Sequence, residues 1–274
     1  MVNMDKGLHD LVWEKVQIAR NIKRPTAKVL IKYLLDEFLE LHGDRLYRDD
    51  PSIIGFIGRI ADIPVTVIGQ EKGDSTKDKI EKNFGMPHPE GYRKALRLMK
   101  QAEKFNRPIV LIIDTPGAYP GVGAEERGQA SAIANNLSEM ISLKVPIISI
   151  VLGEGGSGGA LGIGVSDEIW MLENSIYSIL SPEGFASILY KDASYAKEAA
   201  VIMKLTANDL LNYKIIDKVI PEVAGGLHND PNYSFQIIKE ALIQKISILM
   251  EKDINHILKL RYQKYRRVGM YEES

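Results

Sequence analysis

Apolar and polar positions along the first forty residues recur at helical spacing. Leu11, Val12, Lys15, Val16 and Ala19 begin one amphipathic helix. Pro25 opens a second, in which Leu30, Tyr33, Leu34, Glu37, Phe38 and Leu41 repeat before Gly43 closes it. The period then changes. Two short apolar runs, 52–60 and 63–70, joined through Ala61 and Asp62, predict a hairpin or two consecutive strands. Gly91 to Phe105 predicts a helix with Ala95, Leu98, Met99, Ala102 and Phe105 on one face. A buried strand over 108–114 follows, then a loop of glycine and proline, then a helix from about Glu126 to Leu143 that aligns Ala130, Ile133, Ala134, Leu137 and Ile141. The same grammar returns with a strand over 146–152, a glycine-rich turn and a short helix of small residues. Strands at 168–172 and 176–180 come next, and helix again from Tyr233. Near-continuous apolar strands alternating with helices predict an α/β layered core.

Composition narrows the function classes. Of 274 residues, 35 are Lys or Arg and 36 are Asp or Glu, so the chain lacks the basic surplus of a dedicated nucleic-acid binder. Cysteine is absent, which excludes disulfides, thiol nucleophiles and cysteine-ligated zinc from this chain and fits a reducing cytoplasm. His9, Asp10 and Glu14 interrupt the apolar core that a signal peptide needs. The longest apolar run, 145–152, contains Pro146 and Ser149 and is too short to span a bilayer. The expectation is a cytoplasmic protein with no membrane segment.

Three strings carry candidate chemistry. Gly153 to Gly164 follows a predicted strand and enters a helix, so backbone N–H groups converge where a helix dipole favours negative charge. Gly153, Gly155 and Gly158 satisfy the dinucleotide spacing, with Glu173 about twenty residues on as a ribose-binding acid. Gly155, Ser157 and Gly159 satisfy the nucleophile elbow, for which His228 and His256 follow in hydrolase order. The amides of Gly158 and Gly159 also suit an oxyanion hole that needs no side chain. A tight turn that binds nothing stands beside all three. The second string, Asp114 to Gly128, leaves the end of a buried strand and presents Tyr119 on a rigid loop; a plain crossover loop explains it equally well. Glu125, Glu126 and Arg127 read as charges at a helix N-terminus rather than as catalytic groups. The third, Lys72 to Lys82, offers lysines to phosphates or to an acidic partner, although a mixed-sign run is more often solvated surface. The same holds for Lys259, Arg261, Lys264, Arg266 and Arg267.

Six strings taken together resemble the alpha subunit family of bacterial acetyl-CoA carboxylase carboxyltransferases. They are Lys82-Asn-Phe-Gly-Met-Pro87, Pro89-Glu-Gly-Tyr-Arg-Lys-Ala-Leu-Arg-Leu-Met99, Asp114-Thr-Pro-Gly-Ala-Tyr-Pro-Gly121, Ala124-Glu-Glu-Arg-Gly-Gln129, Gly153-Glu-Gly-Gly-Ser-Gly-Gly-Ala-Leu161 and Ser181-Pro-Glu-Gly184. The resemblance implies a crotonase/ClpP-like superhelix of ββα units at residues 46–230, with an N-terminal helical arm at 1–45 and a C-terminal helical arm at 231–274. It implies an α2β2 complex with a beta subunit that carries the zinc, biotin delivered by a biotin carboxyl carrier protein, and ATP consumed by a separate biotin carboxylase. Carboxyl transfer from carboxybiotin to acetyl-CoA would give malonyl-CoA, the first committed step of fatty-acid biosynthesis. Gly158 and Gly159 would be the oxyanion hole for the ureido oxygen, with Gly117, Ala118, Tyr119, Gly155 and Gly156 lining the substrate cavity. No metal ligand is expected here. Another crotonase-fold acyl-CoA carboxyltransferase or decarboxylase subunit would share the fold; a single-chain carboxyltransferase needs two such domains, and this length provides one.

The chain departs from the family pattern in three places. It begins without the longer helical extension of many relatives. Gln70 stands where relatives commonly show histidine. Phe185 and Tyr190 replace other residues after the Ser-Pro-Glu-Gly string. These differences are expected to tune packing without touching the glycine pair.

Overall fold

A computed structural model of the chain describes residues 2–269, with side chains from residue 7 onward; residues 270–274 of the expected C-terminal arm lie outside the described residues. The chain runs α1 (Val2–Ala19), α2 (Ala27–Leu34), β1 (Glu37–Glu40), β2 (Ile53–Ile60), β3 (Ile63–Gln70), α3 (Thr76–Glu81), α4 (Pro89–Lys104) and β4 (Ile109–Thr115). It continues α5 (Val122–Glu126), α6 (Gln129–Met140), β5 (Ile147–Gly156), α7 (Ser157–Leu161), β6 (Glu168–Leu172) and β7 (Ile176–Ser178). The last elements are α8 (Pro182–Leu189), α9 (Ala196–Met203), α10 (Ala207–Asn212), β8 (Lys218–Ile220), α11 (Pro231–Met250) and α12 (Ile254–Arg266).

One sheet organises the molecule, in the order β1-β2-β3-β4-β5-β6-β8. β1, β2 and β3 pair antiparallel, and β3, β4, β5, β6 and β8 follow parallel. The long β5 pairs β6 through residues 148–151 and β7 through residues 154–156. Alternation along each strand explains the continuous apolar runs. Val110, Ile112, Ile148 and Ile150 face a core shared with α2 and α11, while Ile109, Leu111, Ile147 and Val151 face a second core shared with α4 and α6. Both faces of the central strands β4 and β5 are therefore buried, whereas edge strand β1 is largely exposed.

Both terminal helical segments pack into this body. Val16 and Ala19 of α1 are buried beside Ile176 and Ala200, and Phe235, Ile238, Leu242 and Ile246 of α11 complete the first core. Arg24, in the α1–α2 connection, donates to the Leu152 carbonyl and pairs with Glu222, both groups being buried.

The structure corrects several predicted elements. The second helix stops at Leu34; Leu35 turns extended, and 37–40 form edge strand β1 instead of more helix. Four residues at that place satisfy both periods, and the edge of β2 supplies the pairing, with Phe38 edge-on to Phe56. The helix expected over 126–143 is shorter, Gln129–Met140, and is separated from the short α5 before it where Gly128 takes a left-handed φ of 82°. Its buried face holds Gln129, Ala132, Asn136 and Met140, because Asn136 donates to the carbonyls of Tyr92 and Gly162; Ala130 and Ala134 are exposed. The strand expected over 176–180 ends at Ser178.

Candidate active site

Three neighbouring parallel strands, β3, β4 and β5, end on one edge of the sheet, where open α/β sheets build their sites. β5 passes through Gly153, Gly155 and Gly156 and turns at Ser157, whose φ of 52° is unusual for a residue with a side chain. The five-residue α7 starts there without a side-chain cap. No hydrogen bond among the described residues uses the N–H of Gly158 or Gly159.

The β4 loop lies directly against this turn. A Cβ added to Gly156 would sit 2.2 Å from the Pro116 carbonyl oxygen, and one on Gly159 would sit 2.4 Å from the Gly117 carbonyl carbon and 2.5 Å from the Ala118 nitrogen. The loops thus touch backbone to backbone, which only glycine permits. The Ala118 N–H also has no partner among the described residues. Gly158 differs: its φ is not positive, and a Cβ there would meet only Ile133 Cδ1, at 3.7 Å. Nothing in the fold requires glycine at 158. Gly155 leaves room for the Tyr177 ring, 2.7 Å from a Cβ placed there, and with Gly156, Arg20, Glu154 and Ser178 lines a small cleft on the β7 side. Tyr119 is half-buried, stacked on His88 with ring centroids 4.1 Å apart, and its carbonyl accepts from buried Gln129.

Beneath the turn runs a chain of charges. Lys72 Nζ lies 2.7 Å from Asp114 Oδ1 and 2.8 Å from Glu154 Oε2; Glu154 Oε1 accepts from Arg20, which also pairs with Glu183. Burial works against the charges of Glu154 and Lys72, but Lys72 and Arg20 still hold the Glu154 carboxyl below its ordinary range, and the two carboxylates hold the Lys72 ammonium above its own. Lys72 is therefore a built-in ion partner rather than part of a solvated run, whereas Asp74 and Lys77 are exposed as a mixed-sign run suggests. The C-terminal basic cluster divides in the same way. Arg261 is fully buried against Asp167, while Lys259, Arg266 and Arg267 are exposed. Arg127 pairs with buried Glu90, leaving Glu125 and Glu126 exposed.

Gln70 corrects a further expectation, because it does touch the glycine pair: its Nε2 donates to the Gly159 carbonyl at 2.7 Å. Phe185 and Tyr190 lie at α8, and Tyr190 packs on Tyr195. Sequence reasoning gave Gln70 a packing role and the Lys72 run a surface or phosphate-binding one, and assigned nothing to Tyr92 or Glu154; the available signal was their position at or just beyond predicted strand ends, or inside the resembling strings. The competing chemistries find little support. The Ser157 hydroxyl bonds no histidine; the His228 ring contacts Asn21, and His256 is exposed on α12. Glu173 is occupied by the Glu222 amide. Among the described residues no three His, Asp or Glu converge as a metal site requires. No helix there is long and apolar enough to cross a membrane. A larger concavity between α10 and α12, lined by Tyr213, Lys214, Lys264 and Arg267, touches none of the glycine strings.

Comparison with known proteins gives a consistent result. The acetyl co-enzyme A carboxylase carboxyltransferase-like family pattern matches residues 6–269. The chain is 58% identical over 256 residues to the acetyl-coenzyme A carboxylase carboxyl transferase subunit alpha of Clostridium perfringens, covering 93% of this chain and 94% of that one. It is 58% identical over 262 residues to the same subunit of Staphylococcus haemolyticus, covering 96% and 83%. Among solved structures it resembles transcarboxylase 12S, with a TM-score of 0.68 at 19% identity over 86% of this chain; it spans only 44% of that longer chain. A Pseudomonas malonate decarboxylase hetero-tetramer chain matches with a TM-score of 0.64 at 13% identity, over 79% of this chain and 86% of that one. At such identities the structural likeness shows a shared fold.

Proposed function

Given that the chain belongs to the acetyl co-enzyme A carboxylase carboxyltransferase-like family, we propose that its glycine turn is the oxyanion hole for carboxyl transfer from biotin. The activity is that of an acetyl-CoA carboxylase carboxyltransferase alpha subunit, one half of a multi-subunit enzyme. What supports the site assignment is Gly158, a glycine that neither a positive φ nor a close contact demands, beside the amides of Gly158, Gly159 and Ala118, which have no partner among the described residues. Such a place suits a ligand atom that must approach the main chain closely.

Biotin, carried in by a biotin carboxyl carrier protein, would supply the carboxyl group; acetyl-CoA would accept it on its methyl carbon, the proton lost there returning to the ureido nitrogen, to become malonyl-CoA, the entry to fatty-acid synthesis. The N–H groups of Gly158 and Gly159 would hold the ureido oxygen and stabilise the charge that develops there as the carboxyl group leaves. Gly117, Ala118 and Tyr119 close one wall of the cavity, Gly155 and Gly156 the floor. The carboxyltransferase core is residues 46–230, braced by the helical segments before and after it. The partner beta subunit holds the zinc and acetyl-CoA in an α2β2 complex, a separate biotin carboxylase consumes ATP, and the complex works in the cytoplasm.

The test is carboxyl transfer from malonyl-CoA to biocytin by the chain with and without its beta subunit. Activity is expected only with the partner. Gly158→Val, at a φ that is not positive and with only Ile133 Cδ1 3.7 Å from an added Cβ, keeps its N–H but puts methyl groups where the oxygen must approach; it should keep its thermal stability yet lose ~10²–10³ in kcat, as much as the loss of an oxyanion donor. A Gly158→Val complex that turns over like wild type would sink the assignment.

A further inference from the structure

We infer that Gln70 is a positioning residue for carboxyl transfer: it sets the distance between the two loops whose amides face the reacting oxygen. The inference rests on the reading of the glycine turn given above. Gln70 ends β3, and its side chain is fully buried. Its Nε2 donates to the Gly159 carbonyl at 2.7 Å, and its Oε1 accepts from the Asp114 N–H at 3.2 Å. Only one orientation of the amide satisfies both bonds, since the Gly159 carbonyl can only accept and the Asp114 N–H can only donate. One side chain thus ties α7 to the root of the β4 loop, three residues before Gly117.

α7 needs such a tie. Five residues are too few to be stable as an isolated helix, it has no N-cap side chain, and it begins at a strained Ser157. The Gly159 carbonyl is one of the acceptors that a helix end leaves unpaired, and the main chain gives it no partner. Two buried side chains supply what is missing, Gln70 and Tyr92, whose hydroxyl donates to the same oxygen at 3.2 Å. Gly159 is also the residue that abuts the Gly117–Ala118 peptide, so any shift of its carbonyl changes the gap between the Ala118 amide and those of Gly158 and Gly159. Catalytic amides misplaced by even about 1 Å lose rate steeply, roughly a hundredfold.

The experiment uses the reconstituted complex with the beta subunit and reads kcat, KM for biocytin, KM for malonyl-CoA and the melting temperature. Gln70→Met keeps the length and removes both bonds; kcat should fall between about tenfold and about a hundredfold while both KM values stay within about twofold. Gln70→His has one donor and one acceptor on a side chain of similar reach, and should recover most of the loss. Tyr92→Phe removes the second donor and should lower kcat in the same sense by less. A merely structural role would lower the melting temperature without this split between kcat and KM. A folded Gln70→Met complex with wild-type kcat, or Gln70→His as slow as Gln70→Met, overturns the inference. If Gln70→Met fails to fold, Tyr92→Phe carries the test, and wild-type turnover there overturns it equally. Gly158→Val separates the two levels: inactive Gly158→Val beside fully active Gln70→Met sinks the positioning role alone, whereas fully active Gly158→Val sinks the oxyanion reading beneath it.

Discussion

Gly156 meets Pro116 main chain to main chain, with 2.2 Å between an added Cβ and the Pro116 carbonyl oxygen. Neither side can yield without moving a whole strand end, because Gly156 closes β5 and Pro116 follows β4, and the two strands are paired up to Thr115 and Gly155. Gly156→Ala should therefore cost about 1–3 kcal/mol of stability, as overpacking does, and separate the loops that form the site. Urea unfolding of the variant checks this; an unchanged midpoint would show that the loops are not in contact in solution.

Ser157 separates side-chain from main-chain chemistry. A serine nucleophile needs a base within hydrogen-bond reach, and no histidine bonds this hydroxyl among the described residues. Ser157→Ala keeps every N–H in place, so turnover of the complex should stay within about threefold of wild type, whereas loss of an attacking nucleophile would abolish it. A dead Ser157→Ala complex that folds normally would restore the hydrolase-like reading.

Different parts of the molecule were legible in the sequence to different degrees, for physical reasons. The layered sheet was readable because β4 and β5 are buried on both faces and show as unbroken apolar runs. The glycine string was readable as a strand-to-helix turn, since β5 closes on glycines and α7 opens at Ser157, but its spacing fitted several chemistries at once and so named none. β1 was not: four residues carry too little periodicity to separate strand from helix, and the pairing edge of β2 decides. Gln70 and Lys72 were hidden for another reason. Each is polar beside a charged run, which looks solvated in one dimension. Only the parallel alignment of β3, β4 and β5 brings them under Asp114, Glu154 and Gly159.

Arg261 anchors the last helix. It donates to both Asp167 oxygens at 2.8 Å and to the carbonyls of Met140, Leu143 and Val145, all from a side chain with no solvent exposure. Arg261→Met would leave Asp167 buried without its cation and three carbonyls short of a donor, for a loss of about 3–5 kcal/mol. Arg261→Lys should restore little, because a single ammonium cannot reproduce the guanidinium fork. Chemical denaturation of the three proteins decides; a lysine variant as stable as wild type would contradict the multi-carbonyl role.

The charge chain beneath the turn gives the pH dependence. Glu154 is held below its ordinary value of 4.5, its burial being outweighed by Lys72 and Arg20. A carboxyl lowered by folding contributes stability that is complete above pH 4.5 and is lost as pH falls through its folded value. Lys72 is held above 10.5 by Asp114 and Glu154, so its contribution is complete below that pH and is lost only as pH rises beyond its raised folded value. The site should thus be at full strength across the whole neutral range. Removing the ammonium changes the acid side. In Lys72→Met the burial that pushes Glu154 upward is opposed by Arg20 alone and Asp114 loses its ammonium partner, a change worth about 3–5 kcal/mol at neutral pH. The variant should be least stable relative to wild type near neutrality and approach it as acid protonates Glu154, so the two melting curves converge between about pH 7 and about pH 4. Melting temperatures measured across that range provide the check. Curves that run parallel would mean that the Lys72 charge contributes nothing to holding the turn.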